Sequence, residues 1–217
     1  MPSFSFVHLE FLAWAAMWTA GLSVIAFLGG GFLGFLVALA RVSSSGLLRT
    51  IAAAYIQIVQ GTPLLVLLFL IYFGIAILGF DQVPAIIAAA AGLTIYSSGF
   101  LGEIWRGCIE SVPKTQWEAA ECLALSRWQR MIKVILPQAL RIATPPTVGF
   151  LVQIVKNTSL ASVVGFVELS QAGKLINNSI FEPFTVFIVV AVFYFAMCFP
   201  LSLWSRNLER KLNVANR

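Results

Sequence analysis

Charge is what this chain has least of. Only 11% of its 217 residues are Asp, Glu, Lys or Arg, against 59% hydrophobic, and the mean hydropathy is +0.91. Soluble domains carry about a quarter of their residues as charges, so these values exclude a water-soluble globule and indicate a membrane protein. Histidine is nearly absent: His8 stands alone near the N-terminus, leaving no imidazole for acid–base chemistry within the apolar runs. The three cysteines, Cys108, Cys122 and Cys198, lie far apart without CxxC or Cys/His spacing, so neither a disulfide framework nor a metal site is signalled. No G-x-x-x-x-G-K-S/T occurs; GGGFLG (Gly29 to Gly34) lacks the lysine and sits in an apolar run, so nucleotide binding by a P-loop is not expected of this chain. Lys and Arg are missing from the opening MPSFSFVHLE, which does not read as the basic start of a signal peptide, and the N-terminus is expected to be retained. A net charge of +5 brings no nucleic acid with it, because no soluble basic face is there to display it.

What is present is a series of apolar runs. A spanning helix needs about 20 predominantly apolar residues. The runs predict an all-α integral membrane protein of about five transmembrane helices, roughly 11–40, 50–80, 82–106, 137–167 and 183–205. No repeat or low-complexity linker divides the chain, so one membrane domain over 1–217 is expected. Arg41 and Arg49, then Arg106, Lys114, Arg127, Arg130, Lys133 and Arg141, then Arg206, Arg210, Lys211 and Arg217 fall on one side of these spans. That is twelve of the 14 basic residues. The positive-inside rule makes that side cytoplasmic, with the N-terminus outside and the C-terminus inside.

One charged island, QWEAAECLALSRWQRMIKVILPQ (Gln116 to Gln138), interrupts the apolar pattern. Trp117 to Leu123 reads as a short helix. Ser126 and Gln129 have the spacing of a capping box and start a second helix. That helix runs toward Leu136 and meets Pro137, which must bend or restart it. The turn between the two falls near Ala124 and Leu125, and the small Ala119 and Ala120 leave a face that another surface can approach. Read from composition alone, the island is equally well an amphipathic element resting on anionic lipid.

EAA followed by V-x-LP resembles the coupling loop of bacterial ABC-importer permeases, here residues 112–136. GTPLLVLLFLIYFG (Gly61 to Gly74), EIWRGCIESVPKTQWEAA (Glu103 to Ala120), VILPQALRIATPP (Val134 to Pro146), KNTSLASVVGFVEL (Lys156 to Leu169) and ERKL (Glu209 to Leu212) are similar, in order, to segments of the polar amino-acid permeases of that family. The resemblance implies a type I importer permease fold, a second permease subunit, identical or paralogous, and two ABC ATPase subunits that bind ATP and Mg. It also implies an external amino-acid-binding protein, surrounding membrane lipid, and no cofactor in this chain. It implies ATPase coupling through Glu118, Ala119, Ala120, Ala124, Ser126 and Arg127. Three positions depart from the family pattern: Ala124 where Gly is usual, Leu67 where Gln is frequent, and Asn157 in place of Asp.

Candidate pathway or gate residues are the polar groups inside the runs: Tyr96, Ser97, Ser98, Glu103, Lys156, Asn157, Thr158 and Ser159. Each has a structural reading beside the functional one. Hydroxyls glue helices together in lipid, Glu103 shares a helical face with Arg106 and can pair with it, and Lys156 can snorkel. Gly30 and Gly34 form a GxxxG packing face, and Gly61–Thr62–Pro63 is a hinge or a kink. The function expected is the transmembrane subunit of an ATP-driven importer for a polar or charged amino acid. An ion-coupled transporter needs paired intramembrane acids, and the first four spans offer only Glu103. An enzyme needs converging catalytic groups. A membrane-anchored, lipid-binding scaffold remains the remaining alternative.

Overall fold

The computed structural model describes residues 3–77 and 84–215, so the expected junction between the second and third spans lies outside the described residues. Helices account for nearly all of them. These are α1 (Phe6–Arg41), α2 (Gly46–Gly61), α3 (Leu64–Ile77), α4 (Ala85–Glu110), α5 (Lys114–Cys122), α6 (Arg127–Arg130), α7 (Leu136–Asn157), α8 (Leu169–Ile180) and α9 (Pro183–Ala215). A π-helical turn, Met131–Ile135, joins α6 to α7, and a 3₁₀ segment, Thr158–Val164, follows α7. Four stretches are long and apolar enough to cross a membrane: Phe6–Arg41, Ala85–Glu110, Arg127–Val164 and Pro183–Leu212. The α2–α3 pair makes a fifth if its two arms count as one span.

That pair bends sharply within the expected span over 50–80. The chain turns by 105° between α2 and α3. Pro63 disfavours helical backbone at the residue before it, and Thr62 is extended (φ −99°, ψ 125°). The freed Ile58 carbonyl accepts a hydrogen bond from Thr62 Oγ1 at 2.7 Å. Gly61–Thr62–Pro63 is thus a sharp corner, larger than a proline kink.

The core is built on α1 and α4, which pack together more extensively than any other pair. Leu12, Ala15, Thr19, Leu22, Ser23, Ala26, Gly30, Gly34 and Ala38 are the buried residues of α1. They recur every three or four positions and so form one face. Lipid gives no hydrophobic drive between helices, so close contact across small residues must supply the association. Gly30 lies against Ser97, and Gly34 against the Ser98 carbonyl and the Gly102 amide, which places the GxxxG face in the α1–α4 contact. The opposite sides of α1 and α9 carry exposed Leu28, Phe32, Phe184 and Phe195, the apolar surface that lipid solvates. Trp105 Nε1 donates to Thr147 Oγ1 at 2.8 Å to tie α4 to α7, and Ser205 Oγ donates to the Pro145 carbonyl at 2.9 Å to tie α9 to α7.

Candidate functional site: the coupling loop and the polar groups of the spans

The charged island folds as its spacing dictates. α5 ends at Cys122, and the chain reverses through Ala124, which sits in the left-handed region at φ 53°. The Ala124 amide donates to the Glu121 carbonyl at 2.9 Å and the Leu125 amide to the Ala120 carbonyl at 3.3 Å. Ser126 then caps α6: its hydroxyl accepts from the Gln129 amide at 3.3 Å, while the Gln129 side chain accepts from the Ser126 amide at 2.9 Å. Arg130 pairs with Glu121 at 3.1 Å across the turn and locks the two helices together.

At Pro137 the helix restarts, as expected. The π turn Met131–Ile135 precedes it and Pro137 falls in the first turn of α7, where its missing N–H costs little. The helix therefore continues from the Ser126 cap to Asn157, and on through the 3₁₀ segment to Val164.

Beneath the loop, Ile109, Val112, Ile135 and Ala139 form an apolar cluster with Val42, Trp117 and Met131 around it. Ala120 is buried within the chain at 2% exposure, so it serves the underside of α5; the small residue available to an outside partner is Ala119. Glu118, Ala119, Ala124, Ser126 and Arg127 are exposed. So is Leu123, at 73%. The sequence carried a signal for it that was missed: an apolar residue ending a polar helix with nothing local to cover it.

The span residues divide by what they touch. Ser97 faces α1 at Gly30, with its Oγ buried and without a partner among the described residues. Ser98 donates to the Ile95 carbonyl at 2.8 Å and shares a hydrogen bond with the Tyr55 hydroxyl of α2. Tyr96 stacks with Phe100 and Phe150 at ring-centroid distances of 4.5 and 6.3 Å. These neighbours therefore point at three different helices and do not converge on one cavity. Glu103 accepts from Arg106 Nε at 2.9 Å, and Arg106 also clasps Glu110, a third member the sequence reading did not include.

Lys156, Asn157, Thr158 and Ser159 follow one another where α7 becomes 3₁₀, and each bonds locally. Lys156 is exposed and Thr158 is fully buried, donating to the Val155 carbonyl at 2.7 Å. Ser159 Oγ donates to the Lys156 carbonyl at 2.8 Å. Asn157 Oδ1 accepts from Gln153 at 3.1 Å, while its Nδ2 is buried with no partner among the described residues. That leaves an open donor in a low-dielectric setting.

A second buried polar centre was not anticipated. Glu168 is fully buried at the N-terminus of α8, where its carboxylate accepts from the amides of Ser170 (2.9 Å) and Gln171 (2.8 Å) and from the Tyr194 hydroxyl (2.7 Å). Thr19 Oγ1 accepts from the Leu169 amide at 3.1 Å, so α1, α8 and α9 meet here. Burial pushes the Glu168 carboxyl above the ordinary glutamate range, partly offset by these donors and by Lys174.

Helices long and apolar enough to cross a membrane, with a capped and exposed charged loop between two of them, make up the class of an integral membrane protein. The chain belongs to the family described as binding-protein-dependent transport system inner membrane component, which matches residues 30–214. Members are permease subunits of ABC transporters, act with ATPase and substrate-binding partners, and are not themselves enzymes. The chain is 39% identical over 194 residues to a probable amino-acid ABC transporter permease protein, YckA, of Bacillus subtilis, covering 89% of this chain and 85% of the relative. It is 33% identical to the glutamine transport system permease protein GlnP of Escherichia coli K12, covering 93% and 98%. A crystal structure of an amino acid ABC transporter with histidines superposes with a TM-score of 0.89 at 30% identity, covering 97% of this chain and all of that one. An inward-facing MetNI methionine ABC transporter shares the fold, with a TM-score of 0.74 at 21% identity.

Proposed function

We propose that this chain is the transmembrane subunit of an ATP-driven importer that carries a polar or charged amino acid across the bacterial cytoplasmic membrane. The N-terminus lies outside and the coupling loop inside. A second permease subunit, identical or paralogous, pairs with it. Two ABC ATPase subunits dock on the exposed face of α5 and its turn, at Glu118, Ala119, Leu123, Ala124, Ser126 and Arg127, and an external amino-acid-binding protein delivers the cargo. Relatives named for glutamine and amino-acid transport support the cargo class.

The observation that carries the mechanism is the unbroken helical connection from the Ser126 cap to Asn157. The residues Arg127 to Asn157 rise about 45 Å at 1.5 Å per residue. A displacement of the loop by the ATPases is delivered by this rod to Lys156, Asn157, Thr158 and Ser159, the polar cluster that the cargo passes. The salt bridge of Arg130 to Glu121 and the apolar cluster under Trp117 keep the loop from folding back under that load. Alternating access then follows from rigid-body rocking of the spans.

The test is transport and ATPase activity of the reconstituted importer with Glu118→Lys and Leu123→Asp. Loss of cargo-stimulated ATPase, with the chain still folded and in the membrane, is expected. Full transport by both variants would remove the docking role from this face of α5.

A further inference from the structure

Between the cytoplasmic end of α1 and the coupling loop lies a cleft of about 590 Å³, lined among others by Leu39, Ser43, Arg49, Trp117, Arg127 and Trp128. Its volume is in the range of small-molecule sites. Three arginines and one acid line it, and the acid, Glu121, is already paired with Arg130. Arg49 donates to the Ser43 carbonyl at 3.2 Å. Neither Arg49 nor Arg127 has a carboxylate partner among the described residues. Two guanidiniums without a carboxylate partner among the described residues thus line one concavity, beside the indoles of Trp117 and Trp128.

A separate, wholly apolar groove lies one helical turn away along α1. Phe35, Trp105, Ile109, Leu136, Leu140 and Ala143 line it, with a volume of about 130 Å³. Phe35 of the groove and Leu39 of the cleft are four residues apart and so lie on the same face of α1. An anion binder followed, on the same helix face, by an oily slot is the pattern of an amphiphile with an anionic head.

We propose that this cleft and groove form a binding site for one anionic phospholipid. Its phosphate is held by Arg49 and Arg127, its glycerol lies against the indoles, and a short length of one acyl chain fills the Phe35–Leu140 groove before running out into the bilayer. Arg forks bind phosphate oxygens in pairs. The occupant bridges α2, through Arg49, to the coupling loop, through Arg127, so the lipid ties the loop to the first two helices. Anionic lipid content then sets how tightly loop movement is transmitted. Arg127 borders the docking face as well, so Arg49→Gln, which lies outside that face, is the variant that isolates the lipid.

The experiment purifies the assembled importer through a tag on this chain, in mixed micelles of equal phosphatidylglycerol and phosphatidylcholine, and quantifies retained lipid by mass spectrometry. Wild type is expected to enrich phosphatidylglycerol. Each arginine near an anionic surface contributes about fivefold, so Arg49→Gln lowers the preference about fivefold and the Arg49→Gln/Arg127→Gln pair roughly twenty-five-fold. Leu140→Trp fills the groove from an exposed position and lowers retention without changing charge. Soluble glycerol phosphate, which has the head and no tail, is expected to compete poorly. Equal retention of the two lipids by wild type overturns the proposal. So does complete displacement by glycerol phosphate, which makes this a free-anion site. Loss of the ATPase subunits from Arg49→Gln with lipid retention unchanged also overturns it, because the cleft is then a protein dock.

Discussion

Replacing Gly30 by Ala adds one methyl group where α1 and α4 come closest. A Cβ built there lies 2.4 Å from Ser97 Cβ, 3.1 Å from the Thr94 carbonyl oxygen and 3.2 Å from the Ser97 carbonyl carbon. Carbon atoms rest at about 3.5–4.0 Å, so the helices must separate by about 1 Å. A Cβ and two backbone atoms cannot rotate out of the way as the end of a long side chain can. Overpacking of this kind costs about 1–3 kcal/mol. Against it stands the gain of about 0.5–1 kcal/mol from replacing a mid-helix glycine. Net destabilisation of about 1–2 kcal/mol is expected. Gly21 on the same helix is the control, because a Cβ there meets nothing within 4 Å; Gly21→Ala is expected to be neutral or slightly stabilising. The assay is reversible unfolding of the purified chain by sodium dodecyl sulfate titration. Ser97→Gly in the Gly30→Ala background removes the nearest atom and recovers part of the loss, a coupling readable by a double-mutant cycle. If Gly30→Ala matches Gly21→Ala within about 0.5 kcal/mol, close packing of α1 on α4 is refuted.

Three further outcomes are expected. Ala124→Gly relieves a left-handed alanine worth about 1 kcal/mol and slows hydrogen exchange at the Ala124 and Leu125 amides; faster exchange would show that the turn is not strained. Arg106→Gln leaves Glu103 and Glu110 without their shared cation and lowers stability by about 1 kcal/mol after allowance for the partial exposure of the pair, with Glu103→Gln in the same chain restoring part of it. Glu168→Ala orphans two amides and leaves the Tyr194 hydroxyl with Ser170 Oγ alone, at a cost of about 2–4 kcal/mol, whereas Tyr194→Phe removes the bonds to Glu168 and Ser170 but leaves the amides capped and costs about 1 kcal/mol; the reverse order in thermal unfolding would refute the capping role. Because burial raises the Glu168 carboxyl in the folded state, the unfolded chain releases that proton first. The wild type is therefore expected to lose stability as pH rises from the ordinary glutamate range through the folded value, and Glu168→Gln to lose that dependence.

Much of this protein is written in short-range pattern. The Ser126–Gln129 capping box, the turn at Ala124, the Glu103–Arg106 pair and the apolar lengths of α1, α4 and α9 each depend on residues a few positions apart, whose spacing alone determines which groups meet. The family likeness follows from the same segments in their order. The direction of Ser97 toward α1 and of Ser98 toward α2, by contrast, depends on how α4 is rotated among its neighbours. A run of apolar residues cannot show the 105° corner at Thr62, because a proline licenses a kink as readily as a reversal until other helices fill the space. Ala120 reads as an exposed alanine in the sequence and is buried because α5 lies on Ile109 and Ile135. Glu168 finds Tyr194 across 26 residues, and Arg49 faces Arg127 across 78. The sequence by itself determined a helical membrane chain with a capped, charged loop, since lipid demands satisfied backbone and local polar groups mark where it stops. Tertiary structure alone decided which polar groups are sealed, which stay open, and where two distant arginines share a cleft, because those outcomes depend on helix faces meeting through space.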